Sequence, residues 1–205
     1  MPTQPLPDKL APIHTALLVI DIQNDFCSPE GLLAKRGRDL SRIEPMIDRL
    51  IPFIEIAKQN NILTLYTQQV YDWEKLNERQ REQYTLDGRF VNCDIATDGP
   101  KFFRINPPRE QVFIKYNLNA FSNPNLLETL ETNHIKTLII TGVDSEFCIE
   151  TAVRNAFDLG FKVVVPKDLI ANNARKVHRE ERLLELVETW YGAVTTSEEI
   201  TLLWQ

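Results

Sequence analysis

The stretch Thr137-Leu138-Ile139-Ile140-Thr141-Gly142-Val143-Asp144-Ser145-Glu146-Phe147-Cys148 reads as a strand that passes directly into a helix. Thr137–Thr141 has the β-branched, apolar composition of a core strand, and the helical pattern runs from Glu146 to Leu159. Gly160 follows at the position of a helix C-cap. Working outward, the same alternation recurs. Ala16-Leu17-Leu18-Val19-Ile20 is continuously apolar, as in a parallel strand covered on both faces. Apolar residues at 43, 46, 47, 50, 51, 54 and 57 predict a helix to Gln59, with Pro52 expected to kink or interrupt it. Strands are expected at Ile62–Tyr66, Gln111–Ile114, Phe161–Val165 and Ala193–Thr195, and helices at Asn125–Thr132 and Arg175–Trp190. Such β-α alternation predicts an α/β fold with a mostly parallel sheet and helices on both faces.

No repeat or linker divides the chain, so residues 1–205 are expected to form one domain, with residues 1–12 as an extended, proline-rich arm. The polar stretch Tyr71–Pro108 reads as a partly helical excursion between strands two and three, and excursions that long are usually functional or disordered. A formal net charge of −6 argues against a nucleic-acid partner, which needs clustered Lys and Arg. The apolar runs are too short to span a bilayer, and the first residues lack signal-peptide character. Three widely spaced cysteines, Cys27, Cys93 and Cys148, form neither a disulfide framework nor a zinc pattern, which points to a reducing cytoplasm.

In open α/β sheets ligands sit beyond the carboxyl ends of the strands. Asp25 follows strand one, Lys115 follows strand three, and Cys148 follows strand four. An acid, a cation and a thiol thus converge on one edge. Taken singly, each has a structural reading: a loop aspartate bonding its own backbone, a strand-end lysine, a packed cysteine. Together they suit nucleophilic catalysis, with Asp25 as proton acceptor and Lys115 stabilising a thiolate on Cys148 at the start of a helix. Backbone N–H groups of Asp144 and Cys148 are candidate oxyanion donors. Phe26, Gln68, Asn117, Phe121, Tyr71 and Trp73 flank these positions and are candidate substrate contacts.

Three segments resemble the isochorismatase-like cysteine hydrolase superfamily: Asp21-Ile22-Gln23-Asn24-Asp25-Phe26, Lys115-Tyr116-Asn117-Leu118-Asn119-Ala120-Phe121, and Thr141-Gly142-Val143-Asp144-Ser145-Glu146-Phe147-Cys148-Ile149. The resemblance, in consistent order over residues 14–200, implies a three-layer, Rossmann-like fold with a central, mostly parallel six-stranded sheet, an Asp25–Lys115–Cys148 triad and a cis Val143–Asp144 peptide that presents the Asp144 N–H to substrate. Relatives that hydrolyse nicotinamide carry an Asp/His metal site just after strand two. The corresponding Tyr66–Trp73 segment has no histidine, so no metal or other cofactor is expected. A cysteine nucleophile favours the amidohydrolase branch over vinyl-ether hydrolysis of the isochorismate type. The implied activity is C–N cleavage of a small amide, carbamoyl or ureido compound through a thioester, by a homo-oligomer (dimer or tetramer). A vinyl-ether hydrolase and a non-catalytic binding protein stand as the alternatives.

Overall fold

The computed structural model describes residues 6, 10–86 and 91–205. Six strands form one sheet: β1 (Thr15–Ile20), β2 (Leu63–Gln69), β3 (Val112–Lys115), β4 (Thr137–Gly142), β5 (Lys162–Pro166) and β6 (Gly192–Thr195). Their order is β3-β2-β1-β4-β5-β6, and every pairing is parallel. The order reverses between β1 and β4, so the loops leaving their carboxyl ends diverge and open a crevice there.

The apolar run of β1 follows from this central place. Leu17 and Val19 enter a core layer with α3 (Ile43–Gln59) and α8 (Ser197–Trp204). Ala16, Leu18 and Ile20 enter the opposite layer, with α5 (Pro124–Thr132), α6 (Glu150–Asp158) and α7 (Val177–Leu186). All six β1 residues are buried, and each large aliphatic side chain so placed contributes roughly 1.5–3 kcal/mol.

Several boundaries differ from the sequence reading. Helix α3 runs unbroken through Pro52, which sits on its exposed face. The expected helix 146–159 is instead a π-helical turn, Ser145–Ile149, followed by α6. Gly160, in the left-handed region at φ 88°, ends α6 with the Gly160 N–H to Phe157 O and Phe161 N–H to Ala156 O bonds of a Schellman cap. The helix expected at 175–190 is a 3-10 turn, Ala174–Lys176, then α7, then a second π-helical turn, Val187–Tyr191. Helix α8 is an addition, started by a capping box between Thr196 and Glu199 and held by Trp204 stacking on Phe53.

Most of the expected N-terminal arm lies outside the described residues. Where it is described, Leu10 is buried and its carbonyl accepts from the Trp204 indole, so this end is tied to the body. Two short helices follow β1, α1 (Asn24–Cys27) and α2 (Leu32–Lys35). In the excursion, α4 spans Glu78–Leu86, and residues 99–103 return along the loop after β1. Among the described residues no helix is long and apolar enough to cross a membrane.

Candidate active site

The register of the sheet decides what meets at its carboxyl edge. Gln69 pairs with Lys115 across β2 and β3, so their side chains leave the same face. The Lys115 ammonium donates to Gln69 Oε1 at 2.6 Å and to the Asn117 carbonyl at 3.2 Å. Asp21 directly follows β1. Its φ of 54° turns the chain out of the strand alternation that would have carried its side chain toward the layer of Leu17 and Val19. The Asp21 carboxylate instead accepts from the Thr67 hydroxyl at 2.7 Å and forms an ion pair with Lys115 at 2.8 Å. Cys148, in the π-helical turn after β4, places Sγ 3.3 Å from the Lys115 ammonium. Asp21, Lys115 and Cys148 are all buried.

The acid beside the thiol is therefore Asp21, which corrects the expectation of Asp25. The Asp25 carboxylate accepts from the Leu32 N–H at 3.0 Å and the Cys93 N–H at 2.7 Å. Its own N–H is bound to Gly99 O, so the returning excursion fixes it as a clasp between two loops. A carboxylate with two charge-assisted backbone bonds is already committed.

Electrostatics set the resting state. Burial, then the neighbouring Asp21 charge, push the Cys148 thiol well above its ordinary pKa, with Lys115 opposing. Burial alone would lower the pKa of Lys115, but the Asp21 carboxylate, with the Cys148 sulfur beside it, outweighs this and the net direction is up. The site at rest is thus a neutral thiol beside a carboxylate–ammonium pair. Such an arrangement can pass a proton from sulfur to carboxylate without creating a lone buried charge.

The Val143–Asp144 peptide is cis, as the resemblance implied. The Asp144 N–H has no acceptor among the described residues, while its carbonyl accepts from Phe147 and Ile149. The Asp144 carboxylate pairs with Arg38.

Above Cys148 opens a cavity of about 680 Å³. Of the expected substrate contacts, Phe26, Asn117 and Tyr71 line it. Gln68 does not: its side chain donates to Pro100 O, and β2, which runs to Gln69 rather than ending at Tyr66, gives the cavity position to its neighbour. Phe121 does not either, since it stacks on Phe161 with ring centres 6.2 Å apart. Trp73 is half exposed and outside the lining. Lining residues that sequence reasoning missed include Gln69, Gln80, Tyr84, Asn92, Asn119 and Thr151. Gln80 and Tyr84 come from α4, and Tyr84 meets Tyr71 edge-on. The available signal was period-2 alternation carried on through Gln69; nothing local marks the α4 residues. Among the described residues, no group of three or more His, Cys, Asp or Glu side chains is placed to hold a metal ion.

The family model described as the Isochorismatase domain matches residues 15–199. Among curated proteins, the ureidoacrylate amidohydrolase RutB of Methylobacterium radiotolerans is 26% identical over 214 residues, covering 95% of this chain and 81% of that protein. A cysteine hydrolase from Pseudomonas syringae pv. phaseolicola 1448A superposes with a TM-score of 0.82 at 20% identity, covering 100% of this chain and 97% of that one. N-carbamoylsarcosine amidase from Thermoplasma acidophilum gives 0.70 at 20% identity, over 90% and 96%. The two structural likenesses speak for the fold. The domain match takes in all six strands and the segments bearing Asp21, Lys115 and Cys148, and the chain belongs to the isochorismatase family.

Proposed function

We propose that this chain hydrolyses a C–N bond of a small amide, carbamoyl or ureido compound, with Cys148 as nucleophile, Asp21 as acid-base and Lys115 as the charge that holds both. The reading rests on one observation above all: Cys148 Sγ lies 3.3 Å from an ammonium that is ion-paired to Asp21, on the wall of a large cavity. The names of the RutB relatives and of the carbamoylsarcosine amidase support the same bond type. Side-chain amides at Gln69, Asn92 and Asn117 suit a small polar substrate, since each offers both donors and an acceptor.

In this mechanism the Cys148 thiol gives its proton to Asp21 as sulfur bonds to the carbonyl carbon. The oxyanion faces the N–H groups of Asp144 and Cys148. Asp21 returns the proton to the leaving nitrogen, the C–N bond breaks, and ammonia or an amine departs from a thioester. Water then gives a proton to Asp21 and attacks the thioester, and the sulfur leaves to be reprotonated. The enzyme is proposed to work as a homo-oligomer in the cytoplasm, where reducing conditions suit its free cysteines.

Ammonia release should be screened over carbamoyl, ureido and carboxamide compounds with the parent protein and with Cys148→Ala. Turnover lost in the variant, together with an acyl adduct on Cys148 by intact mass, is the expected result. Full turnover by Cys148→Ala would remove the covalent mechanism, and cleavage of vinyl ethers alone would favour the ether-hydrolase alternative.

A further inference from the structure

Arg38 lies outside the cavity lining, and the mechanism above gives it no step. It follows α2, where Gly37 adopts φ 86° and closes a Schellman cap with Gly37 N–H to Ala34 O and Arg38 N–H to Leu33 O. A Cβ on Gly37 would meet nothing within 4 Å, so the glycine is there for its left-handed backbone. That turn sends the Arg38 side chain inward, to 7% exposure, and onto Asp144. Both terminal nitrogens engage the carboxylate: Nη1 donates to Oδ2 at 2.9 Å, and Nη2 donates to Oδ1. Arg38 Nε has no hydrogen-bond partner among the described residues, so the guanidinium is committed to this one carboxylate.

The backbone around Asp144 is already held on either side. Val143 N–H is bound to Ile20 O, Ser145 N–H to Ala171 O, and Asp144 O accepts from Phe147 and Ile149. What these bonds leave free is the Asp144 N–H, the donor required to face the oxyanion. The remaining handle on residue 144 is its side chain, and a bidentate guanidinium fixes a carboxylate in both position and plane.

We propose that Arg38 is a positioning residue: through its two-pronged bond to the Asp144 carboxylate it sets the Asp144 N–H for the oxyanion formed during attack by Cys148. This rests on the reading of Cys148 as an acyl-transfer nucleophile. A donor out of place weakens the interaction where charge develops, so acyl transfer suffers while the thiol itself does not.

Two probes separate these quantities. Hydrolysis of 4-nitrophenyl acetate passes through a tetrahedral oxyanion on Cys148, whereas alkylation of the same sulfur by iodoacetamide does not. Arg38→Lys keeps the charge and loses the fork. The double variant Arg38→Met with Asp144→Leu removes handle and partner together, leaving no lone buried charge should the single variant fold poorly. In each, the ratio of ester turnover to alkylation rate is expected to fall by about 10- to 100-fold. An unchanged ratio, or a parallel fall of both rates, would overturn the inference. If the parent protein shows no ester turnover that Cys148→Ser abolishes, the nucleophile reading itself falls and takes this inference with it. A parent that turns over, with an intact ratio in the variants, sinks the Arg38 inference alone.

Discussion

The Asp21 carboxylate and the Lys115 ammonium meet at 2.8 Å with both side chains almost completely closed to solvent. A buried pair of this kind is sensitive to the loss of one member, because the survivor is left uncompensated. Removing one partner costs roughly 3–5 kcal/mol. The pair therefore ties the state of the thiol to the integrity of the sheet edge.

Asp21→Asn should lower turnover by about 10²- to 10⁴-fold, the usual weight of a positioned acid-base group, and also lower the unfolding midpoint. Asp25→Asn should behave differently. It weakens the clasp on the Leu32 and Cys93 N–H groups, with a stability loss of about 1–3 kcal/mol, but keeps Cys148 reactive. Turnover and urea titration of the two variants check this pair of outcomes. A dead but fully stable Asp25→Asn would return the acid-base role to Asp25.

The pH dependence of alkylation follows from the upward shift of Cys148. Below its pKa a thiol's reactive fraction grows about tenfold per pH unit. The rate with iodoacetamide should accordingly climb from about pH 6 to about pH 10 with no plateau, since an ordinary thiol near 8.5 would level off within that range. Lys115, also shifted upward, keeps its charge across it. Levelling near pH 8 would contradict the buried, neutral thiol.

Tyr84 should govern binding more than bond-breaking, because it reaches the cavity from α4 and touches Tyr71 rather than Cys148. Aromatic pairs of this geometry contribute about 0.5–1.5 kcal/mol, so Tyr84→Ala should raise KM by about 3- to 10-fold with a smaller change in kcat. Steady-state kinetics on whichever carbamoyl or ureido compound is turned over will tell. A fall in kcat alone would place Tyr84 closer to the reacting atoms.

Gly99 is a packing constraint. A Cβ there would lie 2.1 Å from Asp25 Oδ2 and 2.5 Å from its Cγ. Two backbone bonds hold that carboxylate in place, so it cannot swing away cheaply. Gly99→Ala should destabilise the protein by about 1–3 kcal/mol, the range for overpacking. Urea unfolding is the measurement, and a variant as stable as its parent would show that the Asp25 clasp yields.

The parallel sheet with helices on both faces, and the placing of Lys115 and Cys148 after strands on one edge of it, were legible in the sequence, because buried parallel strands announce themselves and their carboxyl ends share one edge; the strand order was not. The choice between Asp21 and Asp25 was not. Both follow β1, and what separates them is a left-handed residue at 21 and a returning segment at 99–103, neither encoded nearby. The Gln68/Gln69 choice failed for a simpler reason. With β2 ended at Tyr66, its alternation was not carried to the residue that pairs with Lys115. The α4 residues were illegible because a helix polar on all sides carries no stripe to show which face is covered.

Asp21, Lys115 and Cys148 sit on or just beyond the ends of β1, β3 and β4, whereas the cavity residues Gln80, Tyr84 and Asn92 arrive from one continuous excursion. That excursion is moored at its far end, where Asn24 N–H binds Lys101 O and Phe103 N–H binds Ile22 O. On the proposed reading, one wall of the cavity is thus written in a stretch of chain separate from the reacting groups. A lineage carrying this architecture is free to redraft residues 72–92 and so change its clientele, while the sulfur, the ammonium and the carboxylate stay where the sheet put them.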